Sequence, residues 1–336
     1  VTIVLSASDK ISPSIPATVV FDAVTFTRID ISWGVSTDNV RVAGYKIYRN
    51  GSHIGTTEST YFSDTGLPPS TNFCYKVAAI DGNENESPQS AEICSTTPSL
   101  MTVVSWGDNT YGQLGDGTTI GRNLPVYTAG LINAIGVSAG GAAGFGGHSL
   151  AVMLDGSVWA WGYNFFGQLG DGTSEDKHAP VKIAGLDSFV KVAAGGYHSL
   201  ALKQDGSVWA WGNNDYGQLG DETTTSKDTP VHVTGIGNVV DISAGEYFSV
   251  ALTSDGSVWS WGNNTNWQLG DGTKIDKIVP IIISGIDSVK SISAGGQHVL
   301  ALKTDNLAWA WGKNSYGQLG IGNYTDSNVP MLVKYE

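Results

Sequence analysis

Between Ala17 and Thr97 apolar and polar residues alternate with a period of two and are interrupted by turn residues, the pattern of short, half-buried strands. Ile29, Ile31 and Trp33 fall on the inward face of one strand, and Tyr45 and Ile47 on that of the next. Asn50-Gly51 then supplies the positive φ angles that a two-residue hairpin requires. From Met101 onward the strand pattern is organised into a longer repeat. Trp-Gly recurs at 106, 161, 211, 261 and 311, with spacings of 55, 50, 50 and 50. Gln113-Leu114-Gly115 and Pro125 recur in the same register, which coincidence does not produce. A period near 50 with four short strands per unit is the sequence form of radial β-propeller blades.

One unit reads as strand A at Val190–Ala194, B at His198–Lys203, C at Ser207–Gly212 and, after a long loop, D at Pro230–Val233. Strand C puts Trp209 and Trp211 on one face and Val208 and Ala210 on the other, so a bulky face can meet the small-residue face of a neighbouring blade. Neither face is polar, as expected for a sheet covered on both sides. The first segment, Thr102 to Thr128, supplies only C and D, and four complete blades start near Asn133, Phe189, Asn238 and Ser288. The expectation is an all-β chain: a sandwich at 17–98, preceded at 1–16 by a linker or the end of another domain, and a partial propeller at 101–336 with four full blades and a half blade. Open blade edges invite pairing, so either the chain continues to complete the ring or self-association or another chain covers the ends.

The two cysteines fall in an informative register. Phe73, Tyr75 and Val77 share the apolar face of one strand and leave Cys74 on the other; on the last strand Ile93 faces in and Cys94 out. If the turn from Asp81 to Ser87 makes these strands a hairpin, the cysteines lie opposite each other on the solvent side, and a cross-strand disulfide follows. Such a bond points to an oxidising, extracellular or cell-surface location. The alternative is two unpaired surface thiols.

Ser32-Trp33, Ser36-Thr37-Asp38-Asn39, Gly44 through Gly51 and Asp64-Thr65-Gly66-Leu67 resemble bacterial fibronectin type III modules. That resemblance implies a spacer of the kind found beside secreted polysaccharide-degrading enzymes and in surface proteins. Phe73 stands where the family often has the tyrosine of its corner motif, so that hydroxyl is expected to be missing. The recurring Trp-Gly-x-Asn, Gly-Gln-Leu-Gly-Asp-Gly-Thr, Pro-Val and Ala-Gly-Gly-x-His-Ser-Leu-Ala-Leu resemble the regulator of chromosome condensation repeat family over 101–336. The resemblance implies a ring used as a binding platform. One member exchanges nucleotide on a small GTPase and binds chromatin, and a secreted bacterial relative inhibits β-lactamases through one face.

Composition narrows the partners. A formal net charge of -13 would repel a phosphate backbone, so nucleic acid is not expected as a ligand. No apolar run approaches the roughly 20 residues that a spanning helix needs, so no membrane insertion is expected. Hydrophobic residues at 41%, charged residues at only 15% and 44 glycines suit packed sheets joined by tight turns rather than disorder.

Candidate chemistry is sparse. His148, His198 and His298 share one position of the repeat, but successive blades rotate equivalent positions apart, whereas zinc ligands converge within roughly 2 Å of one ion. Phe248 replaces the histidine in the remaining blade, and structural hydrogen bonding is the simpler role. Asp116, Asp171, Asp221 and Asp271 recur in Gly-Asp-Gly-Thr-like loops with too few carboxylates for a calcium loop, which points to turn formation. No nucleophile elbow, zinc-protease helix or phosphate loop occurs, so no enzyme, cofactor or metal is expected.

What the repeat does not explain are its departures. Trp267 replaces a loop glycine beside Asn266, which stands where other repeats carry an aromatic; Tyr163, Phe165 and Phe166 cluster in one loop; and Phe145 lies in a five-residue expansion at Gly141–Gly147. The A-to-B and C-to-D loops emerge on one face, so these aromatics share a side, as expected of a protein-binding or sugar-stacking surface. The alternative is that they pack under their own loops. The leading functional expectation is a secreted or cell-surface interaction protein, an adhesion or surface-structure component, binding a protein or glycan partner. The alternatives are a carbohydrate-binding accessory region of a secreted hydrolase and an intracellular exchange-factor-like propeller.

Overall fold

The computed structural model describes residues 9–99, 102–142 and 146–334. The chain divides into two compact units, Val1–Leu100 and Met101–Glu336. Among the described residues there is no helix, as the alternating patterns require.

The first unit has seven strands: β1 (Ala17–Val24), β2 (Arg28–Gly34), β3 (Val42–Arg49), β4 (Ser52–Thr57), β5 (Tyr61–Thr65), β6 (Asn72–Asp81) and β7 (Ile93–Thr96). They form two antiparallel sheets in the orders β1-β2-β5 and β4-β3-β6-β7. Ile29, Ile31 and Trp33 of the first sheet meet Tyr45, Ile47, Tyr75 and Val77 of the second, which makes the unit a sandwich. Asn50 and Gly51 take φ angles of 50° and 81° in the β3–β4 turn, as that short hairpin demands. Cys74 and Cys94 are direct partners in the β6–β7 register and are joined by a disulfide.

Phe73 is buried without a hydroxyl at the corner, but Tyr75, two residues on, donates its buried hydroxyl to Asp64 Oδ2 at 2.7 Å. The Arg49 guanidinium reaches the same carboxylate at 3.0 Å. The segment before β1 is bound to the sandwich: the Ser14 amide donates to the Thr37 carbonyl at 2.8 Å, and Asn39 Nδ2 donates to Asp9 Oδ2 at 3.1 Å.

In the second unit β8 (Thr102–Gly107) and β9 (Arg122–Ile132) form a two-stranded sheet. The first full blade follows as β10 (Ala134–Gly140), β11 (His148–Met153), β12 (Val158–Gly162) and β13 (Lys177–Lys182), paired in that order. Three further four-stranded sheets repeat it over 189–232, 239–282 and 289–332, each with its strands A to D in chain order. Strand D starts at Lys177, Lys227 and Lys277, three residues before the Pro that marks it in the sequence. Each lysine is paired across a bulge with the glycine ending strand C, and its ammonium lies 3.3 to 3.8 Å from the loop aspartate.

Blades meet bulky face to small face. Trp211 and Ala201 of the second blade pack on Leu150, Val152 and Ala160 of the first, and the clusters around Trp261 and Trp311 repeat the arrangement. Fully burying each of these indoles contributes on the order of 3 kcal/mol. The corresponding Trp106, in the two-stranded sheet, is 62% exposed.

Candidate functional site

The long C-to-D loops hold themselves rigid. In the first full blade buried Asn164 accepts the Leu169 amide on Oδ1 at 2.9 Å, while its Nδ2 donates to the carbonyls of Thr173 and Glu175 at 3.0 Å. Asp171 Oδ1 accepts both the amide and the hydroxyl of Thr173, at 3.0 and 2.7 Å. Asn109, Asn214 and Asn264 repeat this with Asp116, Asp221 and Asp271. The shared aspartates are therefore committed to turns and to the lysines or arginine at the start of strand D, the role their spacing indicates.

Two of the three shared histidines, His148 and His198, bind neighbouring blades together. His148 Nε2 lies 2.9 Å from Ser199 Oγ, and His198 Nε2 lies 2.9 Å from Ser249 Oγ. Each serine donates its proton to a carbonyl of the preceding loop, Ser199 to Gln168 at 2.7 Å and Ser249 to Gln218 at 2.8 Å. A hydroxyl that donates there accepts from the imidazole, which fixes the proton on Nε2. The indoles of Trp211 and Trp261 donate to the same two carbonyls at 2.8 Å. Burial holds the imidazoles neutral, lowering His148 to about 4; burial first and His148 second lower His198 to about 3.

Above these shared parts the repeat-specific aromatics gather. Tyr111 packs on Tyr163 with ring centroids 4.8 Å apart, Tyr163 on Phe165 at 6.5 Å and Phe165 on Phe166 at 5.0 Å. Phe166 meets Tyr197 at 5.2 Å, and Tyr247 lies 5.4 Å from both Tyr197 and Tyr216. The rings thus run without a break from the two-stranded sheet to the third full blade. Phe166 is in a C-to-D loop and Tyr197 in the next blade's A-to-B loop, so the two kinds of loop do emerge on one side.

Exposure varies along the chain: Phe165 is 66% exposed, Tyr163, Phe166 and Tyr247 are half-buried, and Tyr197 is buried. Burial is the largest influence raising the Tyr163 hydroxyl, with Tyr111 and Asp176 adding to it. For Tyr247 burial again leads; the Tyr197 hydrogen bond opposes it, and Glu246, Tyr216 and Asp215 add to the rise. These phenols are neutral donors across the physiological range.

Tyr163, Phe165 and Phe166 are therefore brought together, and Trp267 is not in their chain of rings. Trp267 sits on a later repeat with φ at +57°, and Lys274 Nζ covers its ring at 3.8 Å. Phe145 lies outside the described residues. The reading from sequence missed Tyr197 and Tyr247. Both occupy the variable place in Ala-Gly-x-x-His/Phe, where the repeat elsewhere has Gln297 and Gly147, and that variability was the available signal.

Stacked four-stranded antiparallel blades, joined by indole-to-carbonyl bonds and presenting long loops on one side, define a β-propeller repeat protein. The chain belongs to the RCC1-like domain family, whose model matches residues 102–336. Human WBSCR16 is a structural neighbour with a TM-score of 0.60 and 22% identity, the match covering 98% of this chain and 84% of that one. Yeast RCC1 (Prp20), solved with Kap60, has a TM-score of 0.59 and 20% identity, covering 97% and 75%. At that identity the likeness concerns the fold alone.

In its amino-terminal region the chain is similar to parts of bacterial hydrolases. It is 43% identical over 98 residues to an alpha-amylase of Niallia circulans, covering 29% of this chain and 8% of the amylase. It is 42% identical over 89 residues to chitinase Chi52 of Paenibacillus xylanexedens, covering 26% and 17%. The chain thus spans less than a fifth of either relative.

Proposed function

We propose that this chain is a non-catalytic, secreted or cell-surface binding protein, in which a fibronectin-type-III-like unit serves as spacer and the long-loop side of the propeller binds another protein. The unbroken run of rings from Tyr111 to Tyr216 carries this reading. Aromatic clusters of this kind, rigid and partly desolvated, are where protein interfaces concentrate their affinity. The Cys74–Cys94 disulfide supports an oxidising compartment, and so does the similarity of the amino-terminal region to an amylase and a chitinase.

Those relatives also favour a second reading, a carbohydrate-binding accessory region. Sugar stacking wants exposed ring faces lying flat, whereas most rings here meet edge to face, at interplanar angles of 65° to 84°. The geometry therefore supports a protein partner over a glycan. The test is site-specific photo-crosslinking from position 165 against position 187 on the opposite rim, together with a glycan array. A defined protein captured only from 165 supports the proposal; glycan binding abolished by Phe165→Ala without protein capture overturns it.

A further inference from the structure

The chemical character of the loops beneath these rings is one-sided. Segments 108–121, 163–176, 195–197, 213–226 and 245–247 carry, besides their shared turn residues, the carboxylates Asp108, Glu175, Asp176, Asp215, Glu222 and Glu246. Glu175 lies 3.8 Å from the Lys177 ammonium, and the other five have no ion-pair partner among the described residues. They are held instead by neutral donors. Asn164 donates its amide to Asp176 Oδ1 at 2.8 Å, Asn213 Nδ2 donates to Asp215 Oδ2 at 2.9 Å, and Gln297 Nε2 donates to Glu246 Oε2 at 3.2 Å. The lysines that end two of these loops, Lys177 and Lys227, are turned to Asp171 and Asp221. Later in the propeller Lys274 lies on Trp267, and Lys313 follows Trp311-Gly312, so cations belong to the other end of the repeat array.

Resting on the binding-face reading, we propose that the partner is a protein segment presenting lysine or arginine side chains, which lie over the tyrosine and phenylalanine rings and reach Glu246, Asp215 and Asp176. Aromatic faces attract cations through their quadrupole, and carboxylates already fixed by neutral hydrogen bonds offer a complementary field without losing an existing ion pair. An acidic or phosphorylated segment would meet like charge at the same place.

The experiment is selection of displayed random 12-residue peptides on the full chain, followed by affinity measurement of synthetic hits at low and high salt. The expected result is enrichment of Lys and Arg. Binding should weaken at least tenfold in Glu246→Gln/Asp215→Asn and in Phe165→Ala, and be unchanged in the charge-matched Asp187→Asn/Asp287→Asn on the opposite rim. Circular dichroism and melting confirm that each variant folds. Hits without basic excess that still depend on Phe165 would overturn this inference and leave the binding face standing. Equal loss in the opposite-rim variant would reduce the effect to overall charge and overturn it as well. Hits that ignore Phe165→Ala would remove the binding face itself. Phe165-dependent binding of a glucosamine oligomer in place of peptides would assign a glycan there and overturn the proposal.

Discussion

Phe248 packs in one buried cluster with Val299, at the two positions where the neighbouring blades hold a histidine and the serine it bonds. The polar pair and the apolar pair are alternative solutions of one contact between blades. Replacing one member alone leaves a mismatch. Ser249→Ala strips His198 Nε2 of its partner inside the protein, and an unsatisfied buried donor costs about 1 to 3 kcal/mol. The double replacement His198→Phe/Ser249→Val is expected to recover most of that loss. A double-mutant cycle of denaturation midpoints measures it, and additive single effects would refute the coupling.

The same pair sets a pH dependence. In the unfolded chain histidine binds its proton near pH 6.5, whereas folded His148 does so only near 4 and folded His198 near 3. Between those values the unfolded state holds more protons, so stability falls as pH falls, each histidine removing at most about 1.4 kcal/mol for every pH step of one. The slope flattens below the folded values. Asp116 works in the same direction in a lower window. Burial raises its carboxyl, but the Thr118 and Arg122 hydrogen bonds outweigh that and hold it at about 2, so its contribution is lost as pH falls from about 4 through 2. Melting temperature followed from pH 7.5 to 4.5 should fall less steeply in His198→Phe/Ser249→Val than in the parent. Superimposable profiles would contradict the assignment.

Trp267 occupies the left-handed region at φ +57°, where the other four loops place Gly112, Gly167, Gly217 and Gly317. A side chain there costs about 1 kcal/mol in backbone strain, partly offset by the Lys274 ammonium over the ring. Trp267→Gly relieves the strain and Trp267→Ala does not, so the glycine variant should be the more stable of the two by about 1 kcal/mol. Equal melting temperatures would mean that the backbone is not under strain.

The disulfide closes a loop with a sequence separation of 20, which by loop-closure arithmetic stabilises the sandwich by about 3 kcal/mol. Reductant should lower the melting transition of the amino-terminal unit and leave that of the propeller unit in place. Calorimetry with and without reductant separates the two.

Much of the fold was legible because its signals are periodic. Alternation placed Ile29, Ile31, Tyr45 and Ile47 in the sandwich core, and the two cysteines in register. The Trp-Gly period gave each blade its strands, including the two-stranded start. Strand D begins three residues earlier than its proline suggests, because its first pairing accompanies a lysine-to-aspartate contact across a loop, which no local pattern encodes. The candidate site was half legible. Tyr163, Phe165 and Phe166 stood out as neighbours in sequence, whereas Tyr197 and Tyr247 join them only through the stacking of successive blades. Trp267 looked equivalent to them as a departure from the repeat, yet its own repeat supplies a lysine that covers it.

The direction of the indole bonds also bears on how the propeller comes to be built. Trp161, Trp211, Trp261 and Trp311 each donate to a glutamine carbonyl that lies earlier in the chain, by 48 residues in the first case and 43 in the rest. During synthesis, amino end first, every one of these acceptors is in place before its donor arrives. Each new blade therefore finds its indole acceptor already placed on its predecessor, and in docking there the second and third full blades supply the serine that the predecessor's buried histidine bonds.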